Sequence, residues 1–159
     1  MRPVFYLDDD STKPVTAGGV LFYKMNQQTG KYDLLLIYSR GIYEDFGGRT
    51  DEVDTSILDT VSREVEEESN KIFTKEFVRA GLLYATPIYI PKSKYALFVT
   101  ELEEDYDPAV FGDREFHDDI ERIVVWIDAE TYNNTDFISK LHARLRVFPV
   151  MSYIDGLIA

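Results

Sequence analysis

Residues 55–69 constrain this chain more than any other stretch, because they read as a helix whose acids fall on the wrong side. Thr55 or Ser56 supplies an N-cap, Asp59 brings negative charge to the first turn, and Ile57, Val61 and Val65 recur at i+4 spacing. At ~100° of rotation per residue, with Ile57 as zero, Val61 lies near ~40°, Val65 near ~80° and Leu58 near ~100°. That arc faces a core. Glu66, near ~180°, points the opposite way, as a solvated acid does, but Glu64 near ~340°, Glu67 near ~280° and Glu68 near ~20° border or enter the apolar arc. Related by i, i+3 and i+4, these three carboxylates converge on one patch, roughly 5–6 Å apart. Like charges that close repel, and each alone tends to keep a proton; a divalent cation that takes their oxygens as ligands removes the penalty. The competing reading is a charged face paired with Lys and Arg from its neighbours.

Composition narrows the chemistry further. With 159 residues the chain holds one domain and at most one active site. It has no Cys, which removes disulfides, thiolate metal sites and cysteine nucleophiles, and only two His, His117 and His142. Any metal must therefore be held by carboxylate oxygens, which points to Mg²⁺, Mn²⁺ or Ca²⁺. The 17 Lys and Arg against 29 Asp and Glu give a net charge of −12, which argues at first against a nucleic-acid coat or a membrane-surface role. The apolar run before Asp8-Asp9-Asp10 is too short for a signal-peptide core, no stretch approaches transmembrane length, and a cytoplasmic location is expected.

Along the chain, residues 1–14 read as an irregular arm or edge strand. Gly18 to Tyr23 and Tyr32 to Tyr38 flank a Gly-containing turn and predict paired strands, with a short strand from Ile42 to Phe46 leading into Gly47-Gly48. Phe73 to Arg79 either extends the helix or starts a loop. Leu82 to Ile90 and Tyr95 to Leu102, joined by Pro91-Lys92-Ser93-Lys94, predict a hairpin. Residues 103–119 form an acidic loop before a strand from Ile120 to Ile127. Thr135 or Asp136 caps a last helix carrying Phe137, Ile138, Leu141 and Leu145.

Phe46-Gly47-Gly48-Arg49, followed at a fixed distance by Arg63-Glu64-Val65-Glu66-Glu67-Glu68, resembles the Nudix box. Gly48 matches its first Gly, Arg63 and Glu64 its Arg-Glu, Val65 its apolar position, and Glu67 and Glu68 its paired Glu. Three positions depart from the pattern. Asp54 replaces the first Glu and has one extra residue before Arg63, Asn70 stands where Gly is expected, and Lys71 precedes the apolar Ile72. In the family that first Glu anchors the Arg, and the Arg holds a metal-binding Glu; here Asp54 or Glu52 would have to do so. Asn is the best substitute for Gly in a left-handed cap.

The resemblance implies an α/β fold, a Nudix-like α/β/α sandwich with a mixed β-sheet between helices, formed by residues 1–159 as a single Nudix hydrolase domain. It also implies a pyrophosphohydrolase that cleaves a nucleoside diphosphate linked to another moiety, with Mg²⁺ or Mn²⁺ held by Glu64, Glu67, Glu68 and the Gly48 carbonyl. The alternative is a catalytically impaired Nudix-fold nucleotide-binding or regulatory module. Glu67, Glu64 and Arg63 are the expected catalytic residues. An accessory acid is expected from Glu115, Asp118, Asp119 or Glu121, with Glu121 the first choice. Arg49, Arg40 and Tyr89 are the candidate substrate-binding residues. Two acidic blocks, Glu44 to Glu68 and Glu101 to Glu121, hold ten acids each against Arg49, Arg63 and Arg114, within a mildly basic remainder. Cations bound to the first block would offset its charge, so a capped RNA end ranks low among the substrates without dropping out. The expected partner is a small nucleotide-type substrate, no membrane is expected, and a homodimer is left open.

Overall fold

A computed structural model describes every residue from Met1 to Ala159. The amino-terminal arm folds back on itself, β1 (Phe5–Tyr6) pairing with β2 (Pro14–Val15). β3 (Ala17–Met25) and β4 (Tyr32–Ser39) form the predicted antiparallel hairpin. A turn through Arg40 and Gly41, both with left-handed backbones, leads to β5 (Ile42–Glu44) and β6 (Phe46–Arg49). Then come α1 (Ile57–Glu68), α2 (Lys75–Leu82), β7 (Ile88–Ile90), β8 (Tyr95–Glu101), β9 (Arg114–Glu115), β10 (Ile120–Glu121), β11 (Ile123–Asp128), α3 (Thr135–Ile138) and α4 (Phe148–Ile158).

Seven strands make one mixed sheet. Its main path runs β11-β4-β3-β8-β7, with β5 on β4 and β6 on β3; β3 and β8 are parallel and every other pairing is antiparallel. Successive residues of a strand face opposite sides, and here each side is buried. Val20, Phe22, Leu35, Ile37, Ala96 and Phe98 pack under α1 and α2 with Val61, Val65, Val78 and Leu82. Leu21, Leu34, Leu36, Tyr95 and Leu97 pack under α4 with Val150 and Ile154. This is the α/β/α sandwich with a mixed sheet that the sequence led us to expect. At its closest approach to β3, α1 passes over Gly18, where a Cβ would lie 2.8 Å from Val61 Cγ2 and 3.2 Å from Ile57 Cδ1. Glycine is what lets this helix sit so low on the sheet.

Several predicted elements change. Phe73 to Arg79 neither extends α1 nor forms a loop: Asn70 and Lys71 take φ of 53° and 66°, the chain turns, and α2 starts afresh on Thr74, whose hydroxyl accepts from the Phe77 N–H at 3.1 Å. Leu82 closes α2, so the strand expected from Leu82 shrinks to Ile88–Ile90, still hairpinned to β8 through a 3-10 turn at Pro91–Ser93. The strand expected over Ile120 to Ile127 is split at Arg122, with β10 paired to β9 and β11 to β4. The last predicted helix is only the single turn of α3. Leu141 and Leu145 are buried as core but sit outside it, and the helix that covers this face is α4, which opens on Phe148-Pro149. Pro is tolerated there because a first-turn N–H has no helical acceptor. No helix is long and apolar enough to cross a membrane.

Candidate active site

The loop before α1 settles which acid serves Arg63. Asp54 is buried and binds the guanidinium at two points, Arg63 Nε to Oδ1 at 3.1 Å and Nη2 to Oδ2 at 2.9 Å. Its Oδ2 also accepts from the Thr60 hydroxyl at 2.7 Å and the Asp51 N–H at 2.8 Å. Burial alone would raise the Asp54 carboxyl, but Arg63, Thr60 and the Asp51 N–H outweigh it and hold it below its ordinary value. Glu52, the other candidate, is exposed and pairs with the amino terminus. The extra residue of the loop thus lets a shorter acid reach the same guanidinium. Arg63 spends its remaining donors on the Arg49 carbonyl at 3.0 Å and Glu64 Oε1 at 3.0 Å, and its Nη1 lies 3.6 Å from Glu67.

Beneath α1, β6 supplies the floor. The Gly47 N–H donates to Glu68 Oε1 at 2.5 Å, and the Glu64 carboxyl lies against the Gly48 Cα, in the space a Cβ would take. Burial raises the Glu64 carboxyl, with Arg63 pulling it down and Glu67 pushing it up; burial raises Glu68 well above its ordinary value, against the Gly47 N–H. Glu67 faces His117, whose Nε2 is 3.6 Å away. Glu66, the acid that the helical period placed outside, instead accepts from the Lys75 N–H at 2.8 Å and so helps start α2.

Two of these carboxylates, though not Glu67, border a cavity of about 330 Å³ lined by Glu44, Glu64, Glu68, Glu115, Asp118, Arg40, Arg122 and His142. It joins the two acidic blocks of the sequence. A second groove of about 370 Å³, beside Trp126, has its two acids engaged, Asp33 accepting from Asn26 and Asp105 paired with Lys24. The first cavity is therefore the candidate site. Of the loop acids, Glu115 and Asp118 line it, whereas Glu121 does not: its side chain is 82% exposed and pairs with Arg114, as Asp119 also does. Glu121 sits on β10 with its side chain to solvent, and its one-residue alternation with the buried Glu115 partner strand turns it away. Tyr89 does not line the cavity either. It packs against the core under α1, and its hydroxyl donates to the Pro14 carbonyl at 3.0 Å. Arg49 is exposed and does not line the cavity, while Arg40 does, with no acid paired to it.

Arg122, Asp45 and Arg144 escaped the sequence reading, and so did the side-chain contacts of Asn70. Asn70 and Arg122 join the acidic loop to the end of α1: Asn70 Nδ2 donates to the Phe111 and Arg114 carbonyls, and Arg122 donates to those of Gly112, Phe111 and Glu68. Behind the floor, fully buried Asp45 accepts from Tyr95 Oη at 2.5 Å and Arg144 Nε at 2.7 Å, and Arg144 also lies 3.7 Å from Glu44. Burial raises the Glu44 carboxyl against the pull of Arg144. His142 caps the turn at Arg144, its Nδ1 accepting from the Arg144 N–H, and burial lowers its pKa.

The donors suit a hard divalent cation, since all are carboxylate or carbonyl oxygens and Gly48 leaves room for Glu64 against the strand. They are not drawn together as the helical spacing implied: no three His, Asp or Glu groups close up into a ligand set. Glu68 is held by the Gly47 N–H, Glu64 by Arg63, and Glu67 lies between Arg63 and His117, which keeps three like charges apart.

The layered sheet, with an Arg-Glu helix over a Gly-Gly strand, has the fold of a solved NUDIX domain. Among solved structures, the NUDIX domain of NrtR from Shewanella oneidensis, complexed with ADP ribose, matches with a TM-score of 0.51 at 13% identity, over 90% of this chain and 88% of that one. DR0079 from Deinococcus radiodurans matches with a TM-score of 0.53 at 15% identity, over 95% of this chain and 88% of that one. No protein-family model matches the sequence, and no curated protein matches it.

Proposed function

We propose that the protein is a pyrophosphohydrolase that cleaves a nucleoside diphosphate linked to another moiety, with Mg²⁺ or Mn²⁺ as cofactor. The observation that carries this reading is the relay Asp54–Arg63–Glu64: a buried, two-point ion pair holds a guanidinium that in turn holds a carboxylate against Gly48. A purely structural helix has no need to fix an acid in this way. Glu64, Glu67, Glu68 and the Gly48 carbonyl would hold the cation, which when bound neutralises a diphosphate and acidifies a water. Hydrolysis forms one P–O bond from water and breaks the bridging P–O bond. Glu115 and Asp118, on the facing wall, replace Glu121 as acids able to receive the water's proton. Arg40 is the unpaired cation placed to meet a phosphate oxygen.

A screen of nucleoside triphosphates, dinucleoside polyphosphates, ADP-ribose, nucleotide sugars, coenzyme A and capped RNA, with Mg²⁺ and with Mn²⁺, tests the reading. At least one should be hydrolysed, and Glu67→Gln should cut the rate by about 10²-fold or more with the fold intact. Full activity in Glu67→Gln would remove the proposed role of α1. Binding of a nucleotide without turnover across the screen would favour the regulatory module instead.

A further inference from the structure

We propose that Asn70 is a positioning residue: its side-chain amide fastens the acid-bearing loop, residues 111–118, to the end of α1 and thereby sets Glu115 against Glu64 and Glu68. The inference rests on the hydrolase reading. Asn70 has φ of 53°, and glycine would meet that backbone demand with less strain. What the side chain adds must be read from its contacts. Nδ2 donates to the Phe111 carbonyl at 2.9 Å and to the Arg114 carbonyl at 2.8 Å, and Oδ1 accepts from the Phe116 N–H at 3.0 Å. Both donors and the acceptor of the amide are therefore spent on one loop, 41 to 46 residues along the chain.

Two of these bonds bracket Glu115. With the carbonyl before it and the N–H after it both turned to Asn70, the direction of the Glu115 side chain is fixed. Arg122 braces the same loop through the Gly112 carbonyl at 2.8 Å and the Phe111 carbonyl at 3.0 Å, while reaching the Glu68 carbonyl at 2.9 Å. Glu115 itself is 5% exposed and lines the cavity; Oε2 accepts from the Asp118 N–H at 3.0 Å, and Oε1 has no partner. A buried carboxylate oxygen without a donor is costly and rare, and a ligand arriving in the cavity would remove that cost.

The decisive variant is Asn70→Gly in the full chain, since it keeps the left-handed backbone and deletes the amide. Three readouts apply: kcat and KM on the best substrate of the screen, Mn²⁺ affinity of the substrate-free protein by electron paramagnetic resonance, and hydrogen exchange across residues 111–118. We expect a protein that still folds, the relieved left-handed strain offsetting part of the three lost hydrogen bonds, with kcat and Mn²⁺ affinity each lowered roughly 10- to 100-fold, KM spared, and faster exchange at Phe116. Glu115→Gln should lower kcat comparably, and the double variant should be no worse than Glu115→Gln alone. If Asn70 only caps the helix, Asn70→Gly leaves kcat, Mn²⁺ affinity and exchange at their parent values, and the proposal falls. Fully additive losses in the double variant would also overturn it, because the two residues would then act separately. Should the parent protein hydrolyse nothing, the hydrolase reading fails on its own; unchanged exchange and Mn²⁺ affinity in Asn70→Gly would still overturn the clasp, and faster exchange with weaker Mn²⁺ binding would uphold it.

Discussion

Asp54 shows how a one-methylene loss can be absorbed by the backbone. The longer loop carries the shorter acid to Arg63, and Thr60 and the Asp51 N–H occupy its remaining lone pairs. Because both partners are largely out of solvent, Asp54→Ala leaves Arg63 without its counter-ion and should lower stability by about 3 kcal/mol in urea titration. The sign of the pH dependence follows from the depressed carboxyl. The native state binds this proton less readily than the unfolded chain, whose ordinary value is 3.8, so the stabilisation is complete above that value and drains away as pH falls through the lower native one. The gap between parent and Asp54→Ala should accordingly narrow in acid. Sequence alone left Asp54 and Glu52 side by side, because spacing says nothing of which acid a loop turns inward. It favoured Glu121 over Glu115 for the same reason: both lie in an acidic run, and only the β9–β10 pairing reveals which of them is buried.

Among the elements, α1 was legible because three signals agreed: an N-cap, an i+4 apolar row and acids at a definite angle to it. β3, β4 and the β7–β8 hairpin were legible from apolar runs around turns. α2 and α4 were not. α2 has eight residues and begins one turn after an Asn-Lys pair in the left-handed region, a local break that no hydrophobic period announces. α4 is apolar nearly all round at its start, with Phe148 exposed, so its sequence carries little amphipathic contrast. The seat of α1 on β3 also depends on a residue whose role the period cannot show. Gly18→Ala would put a methyl group against Val61, Ile57 and the Ala96 carbonyl, and should lower stability by about 1–3 kcal/mol in thermal unfolding, with activity reduced as α1 lifts from Gly47 and Gly48.

Across the whole molecule, the fold brings the two acidic blocks of the sequence to opposite walls of one cavity and threads cations between them. Arg122 spans from β10–β11 to α1, and Arg144 from the segment before α4 to Asp45 and Glu44. In the second tie the acid is fully buried, and Asp45, with Tyr95 donating to it, has no water to fall back on. Arg144→Met should therefore destabilise the protein by about 3–5 kcal/mol in urea titration, more than any substitution of the exposed pair Arg114–Glu121.

Arg122 carries a consequence for how the chain assembles. The last turn of α1 has no basic residue of its own, and the carbonyl of Glu68 is met by a guanidinium 54 positions later. The helix bearing Glu64, Glu67 and Glu68 is thus finished by a residue between β10 and β11 that emerges from the ribosome long after it. Its carboxy-terminal turn is closed by a contact of long sequence separation, beside the strand β11 that pairs with β4, and long-range contacts of this kind slow the folding of a chain.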